Sequence, residues 1–242
     1  MSGSLVTVIP VFTTKLDALE ERRVDLAHSN VKPGTLFFVG PAGLDWSFFR
    51  ERWPKANHQF FAGEFFQSRK AYSGWLLRPG LYDAFSHFDF LMVCQTDALL
   101  VKPVDTTTWT FDYVGAPWVP HYRVGWNPVS RRVTSSRFAL GRRNIVVGNG
   151  GLSVRRTEAF SAFTRRFDVG NMGYANEDAV ISYLGPKFGL RIADVATAGE
   201  TFMETGARAW RPGEETPDVA GFHALAVYNP ELEARLLAEA SS

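Results

Sequence analysis

Asp97 follows the apolar run Phe90-Leu91-Met92-Val93-Cys94 after only Gln95 and Thr96, so a buried strand leads almost directly into a carboxylate. Open α/β sheets place ligands at the carboxyl ends of their strands. A hard divalent cation such as Mn²⁺ or Mg²⁺ takes oxygen ligands there, and one carboxylate completed by diphosphate oxygens and water can hold it. The competing role for Asp97 is to cap the turn that follows the strand. Gly148-Asn149-Gly150-Gly151 lies downstream, between two short apolar runs. Its glycines permit positive φ and let a ligand approach the main chain. Asn149 brings a donor and an acceptor suited to sugar hydroxyls, and an ordinary β-turn is the alternative. Asn176-Glu177-Asp178 precedes Ala179-Val180-Ile181. Asn176 can cap a helix and the two acids suit its positive end. A carboxylate in that place can also take a proton from an acceptor hydroxyl. His223, in the short strand Gly221 to Ala224, is either a metal ligand or a structural histidine.

These side chains need a scaffold, and the chain alternates strand and helix signals. Strands are expected at Leu5 to Val11, Thr35 to Val39, His58 to Phe61, Phe90 to Cys94, Tyr113 to Gly115, Leu152 to Val154 and Leu190 to Ala193. Helices are expected at Lys15 to Ser29, Glu64 to Leu77, Thr157 to Phe167, Glu177 to Leu184 and Glu231 to Ala240. On the second helix Phe65, Ser68, Tyr72 and Leu76 share one face at 3.6-residue spacing. The alternation predicts an α/β domain with a mixed, mainly parallel sheet covered by helices on both faces. One domain over 1–242 is expected, with 117–144 as a long basic loop or an inserted lobe.

The chain has 242 residues, 45% of them hydrophobic, and a formal net charge of +1. That balance by itself implies neither nucleic acid nor membrane as a partner. Its distribution is uneven. No acid lies between Asp112 and Glu158, whereas Arg123, Arg131, Arg132, Arg137, Arg142, Arg143, Arg155 and Arg156 all do. Interleaved with Trp118, Tyr122 and Trp126, they could track a polyanion, bind a diphosphate or face solvent. No run reaches the ~18 to 20 apolar residues of a membrane span. The single cysteine, Cys94, fits a reducing compartment, and a cytoplasmic location is expected.

Taken in order, the strand ending in Gln95-Thr96-Asp97, then Gly148-Asn149-Gly150-Gly151-Leu152-Ser153, Asn176-Glu177-Asp178 and the late Phe222-His223 resemble the landmarks of GT-A glycosyltransferases. More closely, Val8-Ile9-Pro10, Gln95-Thr96-Asp97-Ala98, Tyr113-Val114-Gly115-Ala116-Pro117-Trp118, Gly148 to Gly151 and Asn176 to Asp178 resemble the motifs of a little-characterised glycosyltransferase family, over about residues 5 to 228. The resemblance implies a Rossmann-related GT-A fold and transfer of a sugar from a nucleotide-sugar donor, a UDP-sugar foremost, to an acceptor hydroxyl. It implies that Pro10, Val11, Phe12 and Thr13 border the nucleotide, and that Ser68, Arg69 and Tyr72 reach base, ribose or diphosphate. Gln95 and Thr96 would adjoin the diphosphate. Asp97 and His223 would hold Mn²⁺ or Mg²⁺, Asn149, Gly150 and Gly151 would lie against the donor sugar, and Asp178 would be the base, with Glu177 in reserve. Many such enzymes carry Asp-x-Asp where this chain has Gln95-Thr96-Asp97. The acceptor is expected to be a glycan or surface polymer, or a hydroxymethylated DNA base reached through the Arg123 to Arg143 segment. A non-catalytic sugar- or nucleotide-binding relative is the alternative.

Overall fold

Four parallel strands form the floor on which everything else is arranged, three of them apolar runs and one a more polar edge strand. In the computed structural model, which describes residues 3–167 and 176–240, these are β1 (Leu5–Pro10), β2 (Leu36–Pro41), β3 (Asn57–Phe61) and β4 (Phe90–Cys94). Two further strands, β6 (Tyr113–Gly115) and β10 (Leu152–Arg156), complete a six-stranded sheet in the order β3, β2, β1, β4, β10, β6. β10 runs antiparallel to both of its neighbours. The sheet is thus mixed and mainly parallel.

Alternation along β4 shows why both faces must be covered. Leu91 and Val93 pack into a core with Tyr72, Trp75, Tyr82, Phe160 and Ile181, contributed by α3 (Arg69–Trp75), α4 (Pro79–Ala84), α5 (Thr157–Arg166) and α6 (Glu177–Leu184). Phe90, Met92 and Cys94 turn to the opposite core with Val24, Phe49 and Ala198, from α1 (Ala18–Ser29), α2 (Ser47–Arg52) and α7 (Val195–Thr201). Burying one face of a period-2 strand under each helical layer is the packing that defines this fold class. A smaller sheet joins β5 (Ala98–Leu100), β11 (Phe202–Met203) and β12 (Gly221–His223) in the order β11, β12, β5. Leu99 and Phe222 of this sheet pack on α8 (Leu225–Tyr228) and α9 (Pro230–Glu239).

The helix expected over Glu64 to Leu77 is divided. A 3₁₀ turn, Gly63–Phe66, is followed by α3, because Ser68 takes an extended backbone (φ −160°, ψ 159°) and its hydroxyl accepts the Ala71 N–H at 3.1 Å. A side-chain cap starts a helix rather than continuing one, so the four residues on the expected face do not share one helix. The strand expected at Leu190 to Ala193 shrinks to a single bridge between Ile192 and Tyr113.

Residues 117–147 form an antiparallel sheet of their own, in which β7 (Pro117–Asn127) lies between β8 (Arg132–Thr134) and β9 (Leu140–Val147). Irregularities in the β7–β9 pairing, between Pro117 and Tyr122 and between Val124 and Trp126, interrupt the two-residue alternation. That is why the segment reads as aperiodic. One face joins the core through Trp118, Val124, Val133 and Ile145. Among the described residues no helix is long and apolar enough to cross a membrane.

Candidate active site

Three distant pieces of chain converge at the carboxyl edge of the parallel strands. Gln95 to Asp97 follow β4 in a tight turn closed by Ala98 N–H donating to the Gln95 carbonyl at 2.9 Å. Because β10 is antiparallel, its beginning reaches this edge, and Gln95 N–H donates to the Gly151 carbonyl at 2.8 Å. β12 pairs with β5 so that His223 stands opposite Ala98, one residue from Asp97. The imidazole then lies between two carboxylates, with Nε2 3.3 Å from Asp97 Oδ1 and Nδ1 3.0 Å from Glu204 Oε1. The Asn149 amide donates to the same Glu204 oxygen at 2.8 Å, while its own Oδ1 accepts Leu152 N–H at 3.0 Å.

The charges follow from this arrangement. Burial lowers the proton affinity of His223, but its bonds to Asp97 and Glu204 more than offset that and push its pKa up to about 9. Asp97 is raised by burial and lowered more strongly by the His223 ring, so its carboxyl stays below the usual carboxylate range. Asp178, at the start of α6, has the opposite fate. Burial first, and then the neighbouring Glu177 charge, push it up to about 8. Glu177 is buried beside the guanidinium of Arg155, 3.6 Å away. Arg155 is itself fully buried and donates to Tyr82 Oη at 2.9 Å.

The glycines serve a purpose other than positive φ, since Gly148, Gly150 and Gly151 all lack it. What they supply is room. A Cβ on Gly151 would come within 2.1 Å of His223 Nε2, one on Gly150 within 2.1 Å of Glu177 Oε1, and one on Gly148 within 2.3 Å of the Trp118 ring. Each glycine lets one side chain close on the turn. Asn176 occupies the cap position of α6, yet its side chain makes no capping bond.

A cleft of about 1030 Å³ gathers most of the expected residues: Pro10, Phe12, Ser68, Arg69, Tyr72, Gln95, Thr96, Asp97, Asn149, Gly150, Gly151, Glu177, Asp178 and His223. Val11 and Thr13 line an adjoining recess of about 380 Å³, which shares Pro10, Phe12, Glu20 and Thr96 with the cleft. Gln95 donates to Tyr72 Oη at 3.2 Å, and Phe12 meets the Tyr72 ring edge-on at 5.2 Å. Thr96 Oγ1 donates to Glu20 Oε1 at 2.6 Å, tying the turn to the capping box of α1. Glu204 is the residue that sequence reasoning missed. It belongs to no motif, and only the fold brings it to His223. Trp118, Tyr122 and Arg132 of the basic segment also line the cleft, as does Tyr228, which no motif singles out.

The arginine-rich segment is less uniform than its sequence. Arg155 is buried, Arg156 pairs with Asp112 at 3.0 Å, and Arg143 donates to the carbonyls of Ser182 and Tyr183. Arg142 also donates to the Ser135 carbonyl at 3.3 Å, so at least four of the eight cations serve internal contacts.

The profile of a family described as protein of unknown function (DUF5672) matches residues 55–223. The chain belongs to that family. No curated protein matches it in sequence. Among solved structures the DUF5672 chain is similar to an active-site mutant of LgtC, at 14% identity and a TM-score of 0.55 over 97% of this chain and 95% of that one. It is also similar to the galactosyltransferase LgtC in complex with donor and acceptor sugar analogs, at 14% identity and a TM-score of 0.51 over 96% and 95% of the two chains. A third likeness is to the bifunctional glycosyltransferase WbbM, at 8% identity and a TM-score of 0.52, covering 92% of this chain and 46% of that one. At such identities the likeness concerns the fold, and the fold of this DUF5672 member is GT-A.

Whether the cleft suits a divalent cation can be tested on its own atoms. Among the described residues no three His, Cys, Asp or Glu side chains come together to enclose a metal. Asp97 Oδ1, however, is buried with only the 3.3 Å ion-pair contact to His223, and Glu204 Oε2 has no hydrogen-bond partner. A buried carboxylate oxygen left unsatisfied is costly and calls for a partner. Asp97 Oδ1 and His223 Nε2 make a two-ligand oxygen–nitrogen set that fits a cation whose remaining positions go to diphosphate and water. Ligation requires the neutral ring, so cation binding and ring protonation compete.

Proposed function

We propose that this chain is a glycosyltransferase that moves a sugar from a nucleotide-sugar donor to an acceptor hydroxyl with the help of Mn²⁺ or Mg²⁺. The observation that carries this reading is the convergence of Asp97, His223, Gly150, Gly151 and Asp178 on one cleft at the carboxyl edge of the sheet. Asp97 and His223 would hold the cation, which when bound would neutralise charge on the departing nucleoside diphosphate. Pro10 to Thr13, with Ser68, Arg69 and Tyr72, would border the nucleotide. In the reaction the acceptor oxygen forms a bond to the anomeric carbon, the bond from that carbon to the diphosphate breaks, and the acceptor proton passes to a base. Asp178 suits that task once it is ionised, since a pKa raised to about 8 makes its carboxylate a stronger base. Glu177, occupied by Arg155, is better suited to holding its neighbours in place.

For the acceptor, a glycan or surface polymer is the reading retained. A hydroxymethylated DNA base gains no support from the site, since within the Arg123 to Arg143 segment Arg142 and Arg143 are engaged by carbonyls of the protein itself.

A panel of nucleotide sugars incubated with and without Mn²⁺ tests the proposal without knowledge of the acceptor. Slow, cation-dependent hydrolysis of one donor is expected. Binding of a donor without any turnover would instead identify a non-catalytic relative.

A further inference from the structure

We propose that the far end of the β7–β9 lobe is a docking surface for an anionic membrane. Strand register brings its residues together. Asn127 pairs with Arg132, so residues 128–131 form the tip beyond β7, and Leu140 pairs with Trp126 at the same end. The 135–139 connection must cross from β8 to β9 there, because the two strands flank β7 on opposite sides. Val129, Phe138 and Leu140 therefore gather at one end of the lobe, and they are 92%, 76% and 60% exposed. Arg131 and Arg137 are exposed beside them, with the Arg137 guanidinium 4.8 Å from the centre of the Phe138 ring.

Large apolar side chains grouped at an exposed tip mark a binding surface. The choice of occupant follows from charge. No acidic residue occurs from 113 to 157, so nothing on the lobe repels a negatively charged surface. Arginine stems can lie along apolar material while the heads stay with lipid phosphates, and apolar residues at the tip can enter the acyl boundary. Nucleic acid would satisfy the arginines but not Val129 and Leu140, which lack the π-face that stacks on bases. With no membrane-crossing helix among the described residues, the attachment would be peripheral. It rests on the lobe alone and stands apart from the reaction proposed above.

Co-sedimentation with vesicles of phosphatidylcholine, alone or mixed with phosphatidylglycerol, tests it. Wild-type protein is expected to pellet with the mixed vesicles only. Arg131→Gln with Arg137→Gln should weaken binding ~25-fold, at roughly fivefold per arginine near an anionic surface. Val129→Ser, Phe138→Ser and Leu140→Ser together should remove the binding that survives high salt, with an unchanged melting temperature because all three are exposed. The proposal is overturned if wild-type protein stays in the supernatant at low salt. It is equally overturned if the serine triple pellets like wild type while wild type retains duplex DNA. A dimer that the serine triple dissolves, without vesicle binding, would assign the tip to a second copy of the chain.

Discussion

Glu204 holds His223 from behind: its Oε1 lies 3.0 Å from Nδ1 and also accepts the Asn149 amide at 2.8 Å, while Nε2 faces Asp97. A carboxylate on the far nitrogen of an imidazole fixes both the tautomer and the direction of the near one. Glu204→Ala should therefore lower Mn²⁺ affinity, measured by calorimetry with a nucleoside diphosphate present, by roughly 10- to 100-fold. Glu204→Gln keeps an acceptor oxygen and should lose much less. Equal losses in the two variants would mean that Glu204 acts by its charge and not by orienting the ring.

Asp97→Asn preserves size and removes the anionic oxygen. Divalent-dependent binding of the nucleoside diphosphate should disappear while the far-ultraviolet circular dichroism is retained. Mn²⁺-dependent affinity equal to that of wild type would remove Asp97 from the cation site.

Asp178→Asn should lower turnover by ~10²- to 10⁴-fold with little change in donor affinity, the loss expected on removing a general base. Stability should move the other way. A carboxyl raised from 3.8 to about 8 in the folded state keeps its proton when the unfolded chain has lost it, so wild-type stability falls as pH rises from about 4 to about 8. The variant lacks that loss. Its melting temperature should exceed that of wild type at pH 8, by about 2–4 °C for each kcal/mol relieved, and the gap should close near pH 4. A gap independent of pH would show that Asp178 is not held protonated by its surroundings.

Much of this arrangement is legible in the sequence where the physics is local. β4 and Asp97 stand out because an apolar run ends in a carboxylate, and α1 ends where Asn30 ends it. Where side chains from distant segments decide the outcome, the reading changes. The glycines at 148, 150 and 151 resemble turn residues, yet their function is to admit Trp118, Glu177 and His223, which lie far away in the chain. Glu204 carries no local signature at all. The arginine run is one feature in the sequence because charge adds along a chain, whereas burial sends Arg155 beneath the turn and leaves Arg131 in solvent.

Gly151→Ala follows from that distinction. The added methyl would collide with His223 Nε2, so either the turn or the ring must shift. An overpacking cost of about 1–3 kcal/mol is expected in urea unfolding, together with weaker Mn²⁺-dependent binding. Wild-type binding with unchanged stability would show that the turn yields freely.

Arg155→Met should be more damaging, because it leaves Glu177 buried without its cation. Breaking such a pair costs about 3–5 kcal/mol. Combining it with Glu177→Gln should recover part of the loss. A double variant no more stable than the single would place the effect in the bonds to Tyr82 and Ser153 instead.

The lobe leaves and rejoins the rest of the chain at one place, since Pro117 and Val147 are paired with each other and Gly148 N–H returns to the Ala116 carbonyl. A segment whose two ends are spatial neighbours tolerates a change of length at its exposed tip, here residues 128–131, without moving the strands on either side. The turn at Gly148 to Gly151, Asp97 and His223 all lie on the sheet side of that junction. The lobe is nonetheless anchored from within, since Trp118 closes on Gly148 and Arg143 donates to carbonyls of α6, so a change at its base is felt at the turn and at the helix that begins with Glu177 and Asp178.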